Sequence, residues 1–175
     1  GCWLDRLLPD RGERDIVLKQ LADGFNCPSS TALGRYFDAV AALLGIASRN
    51  RFEAEAPIAL ESAIAPGVDD VLPFEIRASG TGRRATGDAA LVRSQGPMSE
   101  LRSTFEIDLR PALLELIRRL EAGQSPGRLA AGFHNTVAAA MAAAIDRASE
   151  RTGVRTVAAS GGVFCNRYLC RRLDE

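Results

Sequence analysis

The residues best suited to chemistry lie in a short segment near the C-terminal end, Ser160-Gly161-Gly162-Val163-Phe164-Cys165-Asn166. Two adjacent glycines, Gly161 and Gly162, let a backbone approach a ligand with no Cβ in the way. A helix is predicted to begin at about Asn166, and the free N–H groups of a helix start favour an anion such as a nucleotide phosphate. Asn166 can cap that helix or offer a donor and an acceptor to a ligand. An ordinary strand-to-helix turn would use the same residues.

A second candidate is Asp38, which lies within a segment of helical periodicity over 31–44. Its face of the predicted helix carries Gly34, Ala41 and Gly45, at spacings of four, three and four. A carboxylate flanked by small residues can accept hydrogen bonds from ribose hydroxyls. A solvated or ion-paired aspartate beside a close helix contact would give the same pattern, so both interpretations stay open.

The other titratable residues give weaker indications. His134 is the single histidine and has no partner at the spacing of a metal site, so we expect it to be packed or hydrogen-bonded. Asp69 with Asp70, and Glu53 with Glu55, are interpreted as solvated charges rather than as acid–base pairs. No phosphate-binding loop, dinucleotide fingerprint or Ser/His/Asp order is found. The residues alone therefore predict no catalytic residue and no metal ligand.

These candidates require helices and strands to position them. The spacing of apolar residues predicts helices over 14–23, 31–44, 54–65, 110–122, 126–152 and from about Asn166, and strands over 72–77, 89–93, 104–109 and 154–159. Ser30 or Thr31 is the expected N-cap of the second helix, and 79–87 is expected to form a loop or hairpin tip. Val154–Ala159 is short, largely apolar and β-branched, which is typical of a buried parallel strand. The mixture predicts an α/β fold.

Composition excludes several classes of function. The chain has 175 residues, 46% of them hydrophobic, enough for one domain or part of one. Its 22 basic and 22 acidic residues form no basic stripe, which argues against nucleic-acid binding. Four cysteines without framework spacing fit a reducing cytoplasm, and no membrane span or secretory pattern is found. Both ends fall inside predicted elements, so we expect residues 1–175 to be a fragment truncated at both ends.

Three segments occur in a characteristic order along the chain. The first is Asn26–Gly45, which includes Gly-Arg-Tyr-Phe-Asp; the second is Phe133–Ala138; and the third is Ser160–Arg167. Leu72-Pro73-Phe74 stands between the first two. Each motif is short, but together they cover essentially the whole chain, and in this order they resemble the HypF-type carbamoyltransferases of hydrogenase maturation. The same framework is similar to that of the universal tRNA threonylcarbamoyl-adenosine transferases.

The resemblance implies a fold and a ligand site. The fold would be part of an actin-like nucleotide-binding domain, of the sugar kinase and heat-shock ATPase type. In these relatives the residues that match Asp38 and Asn166 bind the nucleotide, and the glycines that match Gly161 and Gly162 lie against it. We therefore expect these four residues to converge on one nucleotide-sized cleft.

The resemblance also implies a reaction. Carbamoyl phosphate and ATP would give a carbamoyl-adenylate, and the carbamoyl group would pass to the C-terminal cysteine of a partner maturation protein, HypE. The product becomes the cyanide ligand of nickel-iron hydrogenase. A metal ion is expected in the full-length domain, with its ligands outside this chain, so the fragment alone is expected to be inactive.

Two departures from the family pattern matter. Phe52-Glu53-Ala54 stands where the family usually reads Tyr-Glu-Gly, and the alanine puts a close backbone approach there in doubt. Cys165 stands where glutamine is common, and it receives no role.

Two alternatives remain open at this point. A tRNA-modifying relative would act on nucleic acid, but it tends to read Phe-Gln and Gly-Glu where this chain has Phe133-His134 and Gly34-Arg35. A non-catalytic actin-like module would retain every binding motif, so only an assay of the full-length protein distinguishes it from an enzyme.

Overall fold

The structure is a computed structural model that describes residues 3–78 and 105–175. The chain divides into two compact units, Gly1–Ala63 and Ile64–Glu175. The loop predicted over 79–87 and the strand predicted over 89–93 lie outside the described residues. Within the part that is described, no helix is both long and apolar enough to cross a bilayer.

The first unit is helical. Its helices are α1 (Trp3–Leu7), α2 (Arg11–Asp23), α3 (Leu33–Leu43) and α4 (Glu55–Ser62). Gly24 follows α2 in the left-handed conformation, which glycine accommodates because it bears no Cβ to clash there. Helix α3 packs against α4 and buries Phe37, Val40 and Ala41. The helix that carries Asp38 is therefore fixed by its apolar stripe.

The predicted N-cap of α3 is wrong. The residue at the cap position is Ala32, which offers no side-chain hydrogen bond. The hydroxyl of Ser30 instead accepts a hydrogen bond from Ala32 N at 3.1 Å. Serine hydroxyls readily bond to the backbone two residues later, and this local turn takes the hydroxyl away from the helix start.

Ala54 occupies a backbone conformation that suits glycine. Its φ is 63°, in the left-handed region, immediately before α4. In this region the Cβ of an L-residue crowds the backbone, at a cost of about 1–2 kcal/mol. The sequence had singled out this position because the family usually has glycine there, and the conformation supplies the physical reason.

Replacing Ala54 with glycine is therefore expected to stabilise the first unit. Glycine relieves the backbone strain of the folded state, but it also raises the conformational entropy of the unfolded chain. The first effect is the larger, which leaves a gain of about 0.5–1 kcal/mol in the free energy of unfolding. Urea denaturation followed by circular dichroism measures this gain. The matched control is Ala22→Gly, at an exposed position inside α2, which should lower stability by about 0.5–1 kcal/mol. Equal losses from both substitutions would contradict the argument.

The second unit is built around one long helix. In chain order its elements are β1 (Glu75–Ala78), β2 (Phe105–Asp108), α5 (Arg110–Glu121), α6 (Pro126–Thr152), a 3₁₀ helix (Gly162–Cys165) and α7 (Arg167–Asp174). Strands β1 and β2 pair antiparallel, with Glu75 opposite Asp108. Both strands, α5 and α7 contact α6. Every residue of α6 from Leu129 to Ala138 is buried, as expected for a helix covered on all sides.

The buried parallel strand predicted over Val154–Ala159 is wrong. These residues form no regular element and all are exposed, with Val154 at 57% and Val157 at 53%. A strand needs a neighbour to satisfy its backbone N–H and C=O groups. The β1–β2 pair is the only sheet among the residues described, and it provides no neighbour here. The α/β class thus holds as a mixture of helices and strands, without the central parallel strand.

Asp108 closes β2 with a partly buried cluster of ion pairs. Its carboxylate accepts hydrogen bonds from the backbone N and Nε of Arg110 at 3.0 and 2.8 Å, and lies 3.0 Å from Arg77 Nη2. The side chain of Asp108 is only 6% exposed. The hydrogen bonds from the Arg110 side chain, above all, hold the pKa of this carboxyl well below its usual range, although burial opposes them.

The substitution Asp108→Asn should lower the free energy of unfolding by about 1.5–3 kcal/mol near neutral pH. The reason is that a neutral amide replaces the carboxylate that accepts hydrogen bonds from Nε and Nη2 of Arg110. The folded-state pKa is depressed, so this stabilisation is present above the ordinary value of 3.8 and is lost as the pH falls below it. Urea unfolding over a pH series should show the wild-type advantage shrinking below about pH 4. An advantage that stays constant down to that acidity would show that the charge is not responsible.

Candidate nucleotide-binding site

The glycine segment forms a tight turn before α7. Gly161 has φ 107° and ψ 165°, a combination that is essentially restricted to glycine. The 3₁₀ helix that follows is held by hydrogen bonds from Phe164 N to Gly161 O and from Asn166 N to Val163 O, both at 3.1 Å. Gly161 is therefore required by the backbone itself.

Gly162 has no such requirement. Its φ is not in the left-handed region, and a Cβ added there would meet no atom within 4 Å in the described part of the chain. Both Gly161 and Gly162 are exposed. Neither backbone strain nor packing within the described residues thus explains why residue 162 is glycine. A ligand that approaches the backbone closely at this position would explain it.

Asn166 joins this turn to the core. It is the N-cap of α7, and its Oδ1 accepts a hydrogen bond from Leu169 N at 2.8 Å, which confirms the predicted cap. Its Nδ2 lies 2.9 Å from Nε2 of His134. Since Oδ1 faces a backbone N–H, the group that faces the histidine is the amide NH₂, and it donates to the ring.

His134 lies fully buried in the middle of α6. Its Nδ1 is 2.7 Å from the carbonyl oxygen of Ala130. A proton on Nδ1 and a lone pair on Nε2 satisfy both contacts, which assigns the neutral Nδ1–H tautomer. The prediction of a packed or hydrogen-bonded histidine is confirmed, and His134 is both. The bond to Asn166 was not foreseen, because nothing in the local pattern relates two residues 32 positions apart.

The next two polar residues of α6 hold other segments. Asn135 Nδ2 donates to the carbonyls of Val68 and Asp70, at 2.8 and 3.2 Å, and its Oδ1 accepts from the Tyr168 hydroxyl at 2.9 Å. The hydroxyl of Thr136 donates to the carbonyl of Gly132, also on α6, at 2.7 Å and accepts from Leu72 N at 2.7 Å. We call His134, Asn135 and Thr136 the α6 polar triplet. Together these three side chains bond to two segments of the second unit, residues 68–72 and the start of α7, so the triplet fixes both segments against α6.

Asp38 lies in the first unit, on α3, with its side chain 19% exposed. Its Oδ1 accepts from Asn50 Nδ2 at 3.1 Å, and Asn50 Oδ1 in turn accepts from Ala56 N at 2.8 Å. Its Oδ2 is 2.9 Å from Arg35 Nη2, but the contact lacks hydrogen-bond geometry and Oδ2 is buried without a hydrogen bond. The ion-paired arrangement that the sequence left open is therefore present. Oδ2 retains the capacity to accept a donor from a ligand.

The predicted site residues are thus partly brought together. The glycine turn and Asn166 are continuous in the second unit, while Asp38 belongs to the first. Convergence of all four on one cleft stays a prediction. No group of three His, Cys, Asp or Glu suited to a metal occurs in residues 3–78 and 105–175, and both ring nitrogens of His134 are engaged in hydrogen bonds.

Comparison with known proteins gives a consistent result. A family model described as "Carbamoyltransferase, Kae1-like Domain, second subdomain" matches residues 3–175. Carbamoyltransferase HypF2 of Cupriavidus necator is 34% identical over 185 residues, covering 99% of this chain and 22% of that protein. Carbamoyltransferase HypF of Rhodobacter capsulatus is 34% identical over 167 residues, covering 94% of this chain and 18% of that protein. The chain spans about a fifth of the length of these relatives.

Two solved structures resemble the chain as a whole. A crystal structure of full-length HypF in the phosphate- and nucleotide-bound form superposes with a TM-score of 0.78 and 29% identity, covering 98% of this chain and 24% of that one. The crystal structure of T. kodakarensis HypF gives a TM-score of 0.67 and 25% identity, covering 99% of this chain and 20% of that one.

Proposed function

The chain belongs to the HypF family of carbamoyltransferases, and we propose that residues 1–175 are part of the carbamoyltransferase domain of a longer enzyme. The description of the matching family as a second subdomain supports this, as does the small share of each relative that the chain covers. We further propose that the complete domain has the actin-like fold. Val154 and Val157, exposed here, would then be covered in a sheet formed with other parts of that domain.

The proposed activity is ATP-dependent carbamoyl transfer in nickel-iron hydrogenase maturation. Hydrolysis of carbamoyl phosphate gives carbamate and phosphate. An oxygen of the carbamate then attacks the α-phosphorus of ATP, so that carbamoyl-adenylate forms and pyrophosphate leaves. The thiolate of the C-terminal cysteine of a HypE-type protein attacks the carbamoyl carbon, the C–S bond forms, and AMP leaves with the electrons of the C–O bond. The family resemblance supports this sequence of steps. The free Cys27, Cys165 and Cys170 are in keeping with a reducing cytoplasm.

We propose that the glycine turn and Asn166 bind the nucleotide, with Asp38 holding its ribose. The observation that carries this proposal is Gly162, which neither backbone strain nor packing in the described residues requires. Backbone N–H groups at the start of a helix favour phosphate, and a HypF structure of similar fold is described as phosphate- and nucleotide-bound. Asp38 Oδ2 is buried without a hydrogen bond beside the exposed side chain of Arg35, so a ribose hydroxyl would bond to it after that side chain moves aside.

The expected metal ion of the full-length domain does not fit the residues described here. They contain no suitable ligand cluster, so its ligands would come from elsewhere in the protein. The tRNA-modifying alternative gains no support, since each relative reported above is named as a HypF protein.

The proposed activity is tested with the full-length protein. Incubation with ATP, carbamoyl phosphate and a purified HypE-type protein should add one carbamoyl group to the C-terminal cysteine, detected by intact-mass spectrometry. A partner with that cysteine replaced by alanine is the matched control. Absence of the adduct, with an enzyme that still binds nucleotide, would favour the non-catalytic module.

Replacing Gly162 with valine tests the glycine turn. Since an added Cβ meets nothing in the described residues, the variant should unfold at the wild-type temperature. Its affinity for AMP should fall by about tenfold or more, equivalent to about 1.4 kcal/mol, because the side chain blocks close approach to the backbone. Calorimetric titration of the full-length protein measures this. Gly161→Ala, by contrast, should lower stability through backbone strain. Unchanged AMP affinity in Gly162→Val would remove Gly162 from the site.

A further inference from the structure

The side-chain amide of Asn166 is held in one orientation by two bonds of opposite polarity. Oδ1 accepts from Leu169 N at 2.8 Å, and Nδ2 donates to His134 Nε2 at 2.9 Å. Rotating the amide by half a turn would set its NH₂ against the N–H of Leu169 and its oxygen against the lone pair of Nε2. Both hydrogen bonds would be lost. The orientation of the amide is therefore determined.

His134 is itself prevented from turning. The ring is fully buried, its Nδ1–H donates to the Ala130 carbonyl at 2.7 Å, and it makes an edge contact with Tyr168 at a centroid distance of 5.6 Å. The Ala130 carbonyl is four residues earlier on the same helix, so the histidine orients itself against its own helix. The lone pair of Nε2 therefore has a fixed direction towards the start of α7.

We propose that His134 is a positioning residue of the nucleotide site: it fixes the Asn166 amide so that the second N–H of Nδ2 and the second lone pair of Oδ1 face the ligand. This inference rests on the proposed function, because it presupposes that Asn166 contacts the nucleotide. His134 touches no ligand in this account. In the neutral tautomer, Nε2 of His134 accepts a hydrogen bond from Nδ2 of Asn166. This bond prevents the Asn166 amide from rotating by half a turn, which would exchange the positions of Nδ2 and Oδ1.

A merely structural role would instead have His134 fill space between α6 and α7. Two amide substitutions separate the roles, because each retains one half of the imidazole. The carbonyl of glutamine can replace the acceptor at the Nε2 position and loses the contact of Nδ1. The shorter asparagine can retain the donor to Ala130 and loses the acceptor for Asn166. Each variant removes one of the two hydrogen bonds of His134, so the two should lower the stability of the fold by similar amounts.

The experiment compares AMP affinity, by calorimetric titration of the full-length protein, with the temperature of unfolding. His134→Asn should weaken AMP binding by about tenfold, which corresponds to about 1.4 kcal/mol, whereas His134→Gln should stay close to the wild-type affinity. Equal losses in both variants, in proportion to their loss of stability, would overturn the proposal. If His134→Asn fails to fold, His134→Leu provides the second test: it keeps a buried apolar side chain but offers no acceptor. A folded His134→Leu with wild-type affinity would also overturn it.

Two further variants separate the possible failures. Tyr168→Phe removes the hydroxyl that bonds to Asn135 and leaves the ring beside His134, so it should reduce stability without changing AMP affinity. Asn166→Ala removes the proposed ligand contact itself. If Asn166→Ala binds AMP as well as the wild type, the proposed site is wrong. If it loses affinity while His134→Asn does not, the site stands and the positioning role of His134 is wrong.

Discussion

Full-length protein carrying Asp38→Ala is expected to bind nucleotide about ten- to a hundredfold more weakly than the wild type. Hydrogen bonds from ribose hydroxyls to a carboxylate contribute about 1.5–3 kcal/mol, and this range converts to that loss of affinity. The fold should stay intact, because the substitution removes only an exposed ion pair and one hydrogen bond. The partner Arg35 is 71% exposed, and such pairs contribute about 0–1 kcal/mol. The hydrogen bond from Asn50 adds about 0.5–1.5 kcal/mol. Calorimetric titration with AMP, together with thermal unfolding, measures both quantities.

The matched control for this substitution is Arg49→Ala. Arg49 is also in the first unit and also pairs with a carboxylate, Glu13, at 2.8 Å, with its own side chain 76% exposed. Loss of a surface ion pair alone should leave AMP affinity unchanged in this variant. If Asp38→Ala is folded and likewise binds AMP as the wild type does, Asp38 serves only the ion pair with Arg35 and the hydrogen bond from Asn50.

The substitution Asn135→Ala should cause the largest loss of stability. It leaves the carbonyls of Val68 and Asp70 and the Tyr168 hydroxyl without their bonds to this side chain. Each buried polar group left unsatisfied costs about 1–3 kcal/mol, so we expect a loss of about 3 kcal/mol or more in the free energy of unfolding. Urea denaturation measures this loss. Tyr168→Phe, which removes one of the three bonds, should cost about 1 kcal/mol. Similar small losses from both would show that Asn135 does not hold these segments.

The elements that could be predicted are those whose ends are set by local chemistry. Helix α6 begins at Pro126 and ends at Thr152, as predicted, and Gly153 follows it in the left-handed conformation. Proline is tolerated in the first turn of a helix, and glycine accommodates the left-handed residue that follows its end. These are properties of one or two residues, so they can be read without knowing what surrounds them.

The strand predicted over Val154–Ala159 failed for a different reason. β-Branched and apolar residues indicate a segment that fits a buried sheet, but whether it forms a strand depends on the neighbour that bonds to it. Val154 and Val157 are exposed and form no strand, so the composition of the segment does not by itself determine its secondary structure.

The candidate site shows the same division. Gly161 and Asn166 could be identified because a glycine in a tight turn and an N-capping side chain have local conformational reasons to be there. Gly162 could be identified only because adjacent glycines let a ligand approach the backbone. The contact of Asn166 with His134 could not, because it depends on how α7 packs against α6. Burial of the α6 polar triplet was also hidden: consecutive polar residues in an alanine-rich helix show no apolar stripe, and only the surrounding segments reveal that they are covered.

The most direct test of the proposed site is a crystal structure of the full-length protein with AMP bound. We predict one nucleotide whose phosphate accepts hydrogen bonds from backbone N–H groups at Gly162 or Val163, within about 3.2 Å. The ribose hydroxyls of the same molecule should donate to Asp38, and the Asn166 amide should contact the nucleotide while its Nδ2 still donates to His134. AMP bound elsewhere in the protein, with the glycine turn and Asp38 making no contact with it, would contradict the account.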